Sequence, residues 1–551
     1  MSAYLTRHNI LIAAILVGIL MALFSHLQTV ELRGEEPRRA IVAMEMNISG
    51  QYIVPKINGW NYYNKPPLFN WLLLSFFKMF GSYDAWVVRI PSLLALLLTG
   101  LLHYFFVKKY LSKEVALLSS LLFLTSGDIF FYGTQLSGEI DLFFSLLVYT
   151  QVILIFHFTE RKDYLTLFIT TYTLAALGVL TKGLPSIVFQ CITLVAWLAY
   201  KRDLRMLFHW KHLAGIICFA LITTSYFWAY ARQADVIPYL INLVKESSQR
   251  SAIESSFISL LLSALAYPLN VIKFLLPWSF FVGYLFSGKT WPSIKGNDFL
   301  VFCTLFILAN IPLYWFTADP KSRYIYMFFP FILVLLTWFR QEREHTLTGT
   351  TRMINILLTI IIFLVPLSGL VIPWIVDQAL IPNAFLKGLC ISLISGGVAW
   401  FFIRDKTSYR IYYVVICLVI ARIAVNVFYL PTLNQKTRAL TNLHHVEYLY
   451  ALTEGAGFSL AGKPYTQNTN LPLGPMNEIH SGIRTAPLLS YSIPYYYTKK
   501  TNQILRFEEN MTPGNYYLIY LHEIGHYHVD TLYTFQETGT KDDMGLVRLK
   551  P

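Results

Sequence analysis

Long uninterrupted blocks of apolar residues constrain this chain more than any other feature of its sequence. Many of the blocks are about 18–22 residues long, close to the roughly 20 residues that an α-helix needs to cross a bilayer. Backbone groups find no water in the hydrocarbon region, so each block must be helical. Of the 551 residues, 55% are hydrophobic and 14% are charged, whereas soluble domains carry about 25% charged residues. The composition therefore excludes a soluble globular protein and predicts a polytopic membrane protein.

Hydropathy predicts about 13 transmembrane helices. Short loops rich in Lys and Arg alternate with longer or less basic ones, which is the pattern that places the basic loops in the cytoplasm. The loops and turns at 27–82, 133–140, 182–183, 232–257 and 318–322 should then face outward. An odd number of spans puts the C-terminal tail on the same outer side. The predicted spans lie near 8–26, 83–106, 114–132, 141–158, 164–181, 184–200, 213–231, 258–286, 298–317, 323–339, 353–375, 385–403 and 410–430.

Three further features narrow the class of protein. The formal net charge of +13 comes mainly from those short loops, so it does not indicate nucleic-acid binding. The five cysteines all lie in apolar blocks, which argues against a disulfide framework or a thiolate metal site. The first apolar block lacks a small-residue cleavage site near its end and is expected to be a retained helix.

The tail after residue 430 changes character. It is polar, rich in Tyr, Asn, Thr and Gly, and contains strand-like runs at 515–521 and 544–549. We therefore expect an all-α membrane domain at 1–430, including the outer loop 27–82, followed by a small extracytoplasmic α/β domain at 431–551.

The outer loop 27–82 contains the most informative residues. Arg38 to Met46 has helical spacing, Pro37 can start that helix, and Ser49-Gly50 should end it. A second amphipathic stretch begins near Pro66, so two helices lying in the membrane interface are expected. Glu35-Glu36 follows the first span directly. A carboxylate at the membrane surface can accept a proton from an attacking hydroxyl, but position alone favours an ordinary solvated loop residue.

The order of residues in this loop resembles the polyprenyl-phosphate-sugar transferases that include the bacterial aminoarabinose transferase and the protein O-mannosyltransferases, the GT-C fold. The resemblance extends over about 60 residues and is far more specific than a single motif. It rests on Glu35-Glu36, Arg38 to Ala40, Met46 to Gly50, Pro55 to Gly59, Tyr63-Asn64-Lys65-Pro66-Pro67, Trp71, Phe80-Gly81 and Arg89-Ile90-Pro91-Ser92.

The resemblance implies a second acidic site in the turn before the fourth span, where this chain has Glu139 and Asp141. Placing a carboxylate at the end of a span costs free energy unless the charge is paired or hydrated. The expected role of this acid is therefore to bind the acceptor or to orient a basic partner. Asp141 is also a plausible cap for the fourth helix. The sequence does not choose between the two acids.

Basic and aromatic residues at the outer ends of other spans also match the family. Leu180 to Pro185 resembles its Thr-Lys-Gly-Leu-Pro step, in which Lys182 is an isolated outer lysine suited to a phosphate or to a lipid headgroup. The segment before the tenth span contains Lys321, Arg323 and Tyr324, which are candidates to bind the sugar or the phosphate.

The reaction that the resemblance implies is a single inverting displacement at a sugar carried on a polyprenyl phosphate. Lys65 and Lys182 would neutralise the phosphate, with Arg38 and Tyr63 as further substrate-binding residues. Glu35 would take the acceptor proton or stabilise the oxocarbenium-like sugar. No nucleotide or other cofactor is required, because the carrier phosphate is the leaving group, and no metal site is expected.

Two positions depart from the family pattern. The first member of its acidic pair is usually Asp, whereas Glu35 stands there in this chain. The residue before the lysine is Asn64, where the aminoarabinose transferases usually have an acid. The second departure argues against assuming that the sugar is aminoarabinose.

The tail contains His522-Glu523-Ile524-Gly525-His526, which matches the zinc-protease motif. That motif binds zinc only on a helix, yet here it follows a strand-like run and is interrupted by a glycine. A strand end followed by a turn is the better prediction, and a membrane metalloprotease is the weakest functional alternative. A transporter or flippase is the other alternative, although its binding residues are expected near the middle of the membrane.

The expected protein is thus a multi-pass enzyme of the inner membrane whose active site and tail face the periplasm. Its partners are a lipid carrier and an acceptor that is lipid A, another glycolipid, a glycan or a protein. It is expected to act as a monomer.

Overall fold

The computed structural model describes residues 2–135, 138–248, 257–286, 289–315, 321–405, 407, 409–461, 490–508, 510–525, 527–536 and 543–550. Parts of the predicted turns 133–140 and 318–322 and of the loop 232–257 lie outside these residues. The chain forms two compact units. The bundle unit contains Met1–Val30, Ser92–Thr223 and Ser247–Asn434, and the loop–tail unit contains Glu31–Pro91, Thr224–Glu246 and Gln435–Pro551.

Helices make up most of the described chain. In chain order they are α1 (Ser2–Phe24), α2 (Glu36–Ser49), α3 (Leu68–Phe80), α4 (Ala85–Val107), α5 (Lys113–Leu124), α6 (Asp141–Glu160), α7 (Tyr164–Lys182), α8 (Pro185–Tyr200), α9 (Trp210–Ala231), α10 (Ile237–Ser248), α11 (Phe257–Phe274), α12 (Thr290–Lys295), α13 (Asp298–Asn310), α14 (Pro312–Trp315), α15 (Phe329–Arg343), α16 (Thr348–Val371), α17 (Ala384–Arg404), α18 (Arg410–Ala424), α19 (Leu430–Gln435), α20 (Arg438–Leu452) and α21 (Ser492–Thr501). Single π-helical turns occur at Ile129–Gly133 and Val425–Tyr429.

Ten helices among the described residues are long and apolar enough to cross a membrane, and a bent pair makes an eleventh candidate. The multi-span, mainly helical fold is therefore confirmed, whereas the count of about 13 spans stays a prediction. Two predicted spans, 114–132 and 184–200, correspond to the shorter helices α5 and α8.

Two spans differ from the prediction for identifiable reasons. The predicted span 258–286 is broken between Phe274 and Trp278, where the axis bends by 119°. Pro277 lies in this break and has no N–H to continue a helix. Helix α5 ends at Leu124, and three residues later the Gly127 N–H donates to the Leu276 carbonyl at 2.7 Å instead of to its own helix.

The bundle unit has one continuous apolar core, in which aromatic rings from α6, α8, α13 and α15 interlock. Phe156 lies 5.5 Å from Trp197 and 5.1 Å from Phe302, measured between ring centroids. Trp278 is fully buried and packs in this core.

The C-terminal part of the loop–tail unit contains a five-stranded mixed sheet. Its strands are β3 (Ser459–Ala461), β4 (Phe507–Glu508), β5 (Tyr516–Tyr520), β6 (Val529–Gln536) and β7 (Asp543–Leu549), in the spatial order β4-β3-β5-β7-β6. β3 runs parallel to β4 and β5, whereas β7 is antiparallel to β5 and β6. The predicted strands at 515–521 and 544–549 are β5 and β7, and Leu518 faces Leu546 in their register.

The first outer loop belongs to the same compact unit as this sheet. α2 packs against α3 and α21, and a two-stranded ribbon of β1 (Lys56–Ile57) and β2 (Trp60–Asn61) lies between α2 and α3 in sequence. The Tyr496 hydroxyl of α21 donates to the Glu31 carboxylate at 2.8 Å, and Lys499 pairs with Asp84 at 2.6 Å. The predicted outer loop and the predicted tail domain are thus tied together by polar contacts.

Candidate functional site

Local sequence rules set the helix that carries the acidic pair. α2 runs from Glu36 to Ser49 with Pro37 in its first turn. Gly50 ends it in the left-handed conformation, at φ 69°, and its N–H donates to the Met46 carbonyl. A glycine adopts this backbone without the steric cost that other residues incur. The predicted start and end of the helix are both confirmed.

Glu35 precedes α2 and keeps contact with solvent. Its side chain is 33% exposed and forms ion pairs with Arg38, one turn along, and with Arg39 at 3.3 Å. The Arg38 guanidinium also lies 5.1 Å from the centre of the Tyr491 ring and donates to its hydroxyl at 3.3 Å. The two arginines fix the direction of an accessible carboxylate.

Glu36 has a different environment, although it is the next residue. It is fully buried, and its two carboxylate oxygens accept from Arg89 Nε at 2.9 Å and from Nη2 at 2.8 Å. A bidentate pair of this kind is strong and directional. Glu36 therefore holds α2 to the start of α4 and is not available to solvent.

The Tyr63–Lys65 segment precedes α3 and accepts two hydrogen bonds from side chains of α10. The Asn242 amide donates to the Tyr63 carbonyl at 2.9 Å, and the Tyr239 hydroxyl donates to the Lys65 carbonyl at 3.3 Å. The Lys65 side chain is 8% exposed, and its ammonium donates to the Asn64 carbonyl at 3.1 Å. The backbone of this lysine is thus fixed by side chains that lie far away in sequence.

Glu45, on α2, is a buried acid that the sequence analysis did not single out. Its carboxylate accepts from the backbone N–H of Asn58 and, at 3.0 Å, from that of Gly59. These contacts hold the turn between β1 and β2, where Asn58 and Gly59 both have positive φ. The position of Glu45 in the helical pattern, on the same face as the apolar residues of α2, could have predicted its burial. Burial raises the pKa of this carboxyl to about 7, although the two backbone hydrogen bonds act to lower it.

Glu45 should therefore make stability fall as pH rises. Between its usual pKa of 4.5 and about 7, the folded protein binds more protons at this site than the unfolded chain. The free energy of unfolding then decreases through that window, by up to about 3 kcal/mol. Thermal unfolding of detergent-solubilised protein between pH 5 and pH 8 should show a steeper decline for the natural protein than for Glu45→Gln, which stays neutral. Equal slopes in the two proteins would contradict this assignment.

In the bundle unit, four charged residues from three separate segments of the chain form a compact cluster. Asp141, at the start of α6, pairs with Lys182, at the end of α7. Arg323, in the helical turn before α15, pairs with Glu139 and lies 3.6 Å from Asp141. The sequence left open which of the two acids acts in the reaction, and both of them form ion pairs here. We call these four residues the charge cluster.

Aromatic rings and a small cavity adjoin the charge cluster. The Lys182 ammonium lies 4.6 Å from the centre of the Tyr324 ring, a cation–π contact. A cavity of about 10 Å³, room for about one water molecule, is lined by Tyr132, Gly133, Glu139, Asp141, Leu142, Arg323 and Tyr326. Lys321 is exposed and precedes this segment. The arrangement can bind a small polar group next to two cations and two acids.

Tyr326 and Asp128 complete this region and were missed in the sequence. The Tyr326 hydroxyl donates to Asp128 at 2.7 Å. A Cβ on Gly133 would lie 2.4 Å from that hydroxyl, so any larger residue there would have to displace the Tyr326 ring. Tyr326 falls in an apolar stretch where a tyrosine is unremarkable, and Asp128 is separated from it by 198 residues.

The zinc-protease motif in the tail does not lie on an α-helix. His522 and Glu523 belong to a single 3₁₀ turn, Leu521–Glu523, that follows β5 directly. Gly525 has a φ of +55°, and His526 lies outside the described residues. The predicted strand end and turn are confirmed for residues 521–525, which form no α-helix.

Comparison with known proteins identifies sequence relatives over part of the chain. The profile of the dolichyl-phosphate-mannose-protein mannosyltransferase family matches residues 64–228, which include Lys65, Glu139, Asp141 and Lys182. The undecaprenyl phosphate-α-4-amino-4-deoxy-L-arabinose arabinosyl transferase of Erwinia tasmaniensis is 27% identical over 226 residues, and that of Pseudomonas savastanoi pv. phaseolicola is 28% identical over 223. These matches cover 40% of this chain and 40% of each relative.

Structural similarity extends over almost the whole chain. The crystal structure of ArnT from Cupriavidus metallidurans bound to undecaprenyl phosphate has a TM-score of 0.68 at 16% identity and covers 97% of both chains. The same protein in the apo state has a TM-score of 0.65 at 15% identity and covers 99% of this chain and 98% of its own. The chain therefore has the GT-C fold, and in sequence and fold it resembles the polyprenyl-phosphate-sugar transferases of the aminoarabinose transferase and protein O-mannosyltransferase family, as its first outer loop predicts.

Proposed function

We propose that this protein is a glycosyltransferase of the inner membrane that moves a sugar from a polyprenyl phosphate to an acceptor at the periplasmic face. The observation that carries the proposal is the contrast within the acidic pair. Glu35 directly follows the first span and keeps an accessible carboxylate between two arginines, whereas Glu36 is fully buried in an ion pair. The similarity to arabinosyl transferases favours a transferase over a transporter or flippase.

In this proposal Glu35 is the general base. The acceptor hydroxyl gives its proton to Glu35 while its oxygen bonds to the anomeric carbon of the sugar. The bond from that carbon to the phosphate oxygen breaks, and the phosphate leaves with the electron pair. Attack opposite the leaving group inverts the anomeric centre. Arg38 and Arg39 hold the carboxylate in one direction, which keeps the proton acceptor in place.

Lys65 is proposed to bind the donor phosphate, and Tyr63 the neighbouring sugar. Its ammonium is a hydrogen-bond donor that can form a charge-assisted bond to a phosphate oxygen. A buried lysine beside a helix start also stabilises the charge that develops on the leaving group.

The charge cluster is proposed to bind a substrate through Lys182 and Arg323. Because the side chains of Asp141 and Glu139 are only 9% and 7% exposed, against 33% for Glu35, we assign these two acids a positioning role instead of a proton-transfer role. Lys321 and Tyr324 would contact the substrate at the edge of the same cavity. The acceptor class stays open among lipid A, other glycolipids, glycans and proteins, and we propose a monomer that needs no nucleotide.

A donor assay tests the proposal directly. The full-length protein in lipid nanodiscs is incubated with undecaprenyl phosphate carrying aminoarabinose, mannose or glucose, together with lipid A or an envelope extract. Mass spectrometry should detect released undecaprenyl phosphate and a glycosylated product for one of these donors. Failure to consume any donor, with protein that still unfolds cooperatively on heating, would count against a transferase of this class.

Replacing Lys65 should weaken donor use far more than replacing a lysine close by. Lys65→Ala removes a charge-assisted bond of about 1.5–3 kcal/mol, so KM for the donor should rise by about 10-fold to 100-fold. Lys78→Ala is the matched control, because this lysine of α3 is exposed and donates to the Tyr52 hydroxyl at 3.3 Å. Initial rates across a range of donor concentrations measure both. An unchanged donor KM in Lys65→Ala would remove the lysine from the phosphate site.

A further inference from the structure

Helix α10 has two faces of opposite character. Its outward face exposes four aliphatic residues at helical spacing, Ile237 at 57%, Leu240 at 36%, Ile241 at 44% and Val244 at 58%. Its inward face is buried, with Tyr239 at 0% and Asn242 at 5%. We call the four exposed residues the aliphatic stripe. An apolar stripe opposite a packed face is the pattern of a helix that lies in a membrane interface.

The position of α10 in the chain identifies what covers the aliphatic stripe. Only residues 232–236 separate it from α9, which is long and apolar enough to span a membrane. Trp228, near the end of α9, is 61% exposed, and the Arg232 guanidinium lies 5.0 Å from the centre of its ring. Exposed Trp and Arg residues at a span end mark the headgroup level. The stripe therefore begins within a few residues of the membrane surface.

The inward face of α10 contacts the backbone of the segment that holds Lys65. Asn242 donates to the Tyr63 carbonyl at 2.9 Å, and Tyr239 donates to the Lys65 carbonyl at 3.3 Å. The rings of Tyr63 and Tyr239 lie 6.1 Å apart, and Tyr230 packs on Tyr239 at 5.0 Å. One helix thus carries the aliphatic stripe on one side and the support of the lysine segment on the other.

We propose that α10 is a membrane-seated support, whose aliphatic stripe lies among the acyl chains of the leaflet and whose Asn242 and Tyr239 position Lys65 for the donor phosphate. The proposal rests on the function proposed above. Asn242 and Tyr239 are positioning residues, because they reach the backbone around Lys65 and act through it. Binding of the stripe to lipid restrains the helix, and the helix restrains the segment.

Lipid contact is tested with single cysteines in a cysteine-free background of the full-length protein in nanodiscs. A fluorophore at Ile241→Cys should be quenched by nitroxide-labelled phosphatidylcholine to at least half the extent seen at Ile217→Cys, an exposed position of the α9 span. Leu532→Cys is the matched control, since this leucine is 42% exposed on β6 of the C-terminal sheet. Quenching at position 241 no greater than at position 532 would overturn the membrane seat, and this readout needs no transfer activity.

The positioning role is tested by a double-mutant cycle with Lys65. Asn242→Ala should lower kcat/KM for the donor by about 10-fold to 100-fold, the effect of a displaced binding group. It should cause little further loss in a Lys65→Ala background, because residues that act through one group are not additive. Tyr239→Phe supplies a second variant that keeps the ring packing. Fully additive losses, or natural kcat/KM in both single variants, would overturn the positioning role, whereas absence of transfer by the unchanged protein would count only against the proposed function.

Discussion

Glu35→Gln should abolish sugar transfer while leaving the fold intact. Glutamine keeps the size of the side chain and an oxygen for Arg38 and Arg39, but it cannot accept the proton of the acceptor hydroxyl. General-base catalysis contributes about 10²-fold to 10⁴-fold, so the turnover number should fall by at least about 100-fold. Release of undecaprenyl phosphate under saturating donor and acceptor measures this loss.

The matched control for this variant is Glu35→Asp. It keeps a carboxylate at the position where the resembled family usually has Asp, so it should retain far more activity than Glu35→Gln. Because the Glu35 side chain is 33% exposed, both variants should unfold at nearly the temperature of the natural protein. Full turnover by Glu35→Gln would remove Glu35 from the mechanism.

Much of the first outer loop could be predicted because local rules determine it. A proline at the start and a glycine at the end set the bounds of α2, and the second predicted amphipathic helix is α3, which follows Pro67. These signals operate over a few residues and require no knowledge of the rest of the fold. The strands β5 and β7 were predictable for the same reason.

The different roles of Glu35 and Glu36 could not be predicted, because the partner that separates them is remote. Arg89 lies 53 residues from Glu36 in the sequence, and only the folded chain brings the two together. The same holds for Asp141 and Lys182, which are 41 residues apart. Sequence reasoning identified a carboxylate at position 139 or 141 as costly near a membrane unless it is paired, but it could not say which cation pairs with it.

Span lengths failed where tertiary contacts end a helix early. Hydropathy continues from 114 to 132, yet α5 stops at Leu124. A Cβ on Gly127 would lie 2.6 Å from the Leu276 carbonyl oxygen. A residue with a side chain would therefore keep the two backbone segments further apart. Leu276 lies in the break before Trp278, so the interruption of α5 contacts the interruption of the bent span. An apolar window measures composition and does not register such a contact.

The buried ion pair between Glu36 and Arg89 should be the most stability-sensitive contact of the first outer loop. Glu36→Ala removes the carboxylate and leaves a guanidinium that is 3% exposed without its bidentate partner. Removing one partner of a buried pair costs about 3–5 kcal/mol, because the remaining charge stays desolvated. Thermal unfolding in detergent should therefore show a much lower midpoint for Glu36→Ala than for the natural protein.

Restoring electrical balance should recover much of that loss. The double variant Glu36→Ala with Arg89→Met removes both charges and keeps an apolar side chain of similar length, and replacing a buried pair by apolar residues is often neutral. Glu35→Ala is the second control, since it alters the neighbouring, partly exposed acid. If Glu36→Ala unfolded at the same temperature as Glu35→Ala, the pair with Arg89 would not stabilise the loop. The two acids differ in burial, so their variants should differ in effect. Replacing Glu35 should reduce activity, and replacing Glu36 should reduce stability.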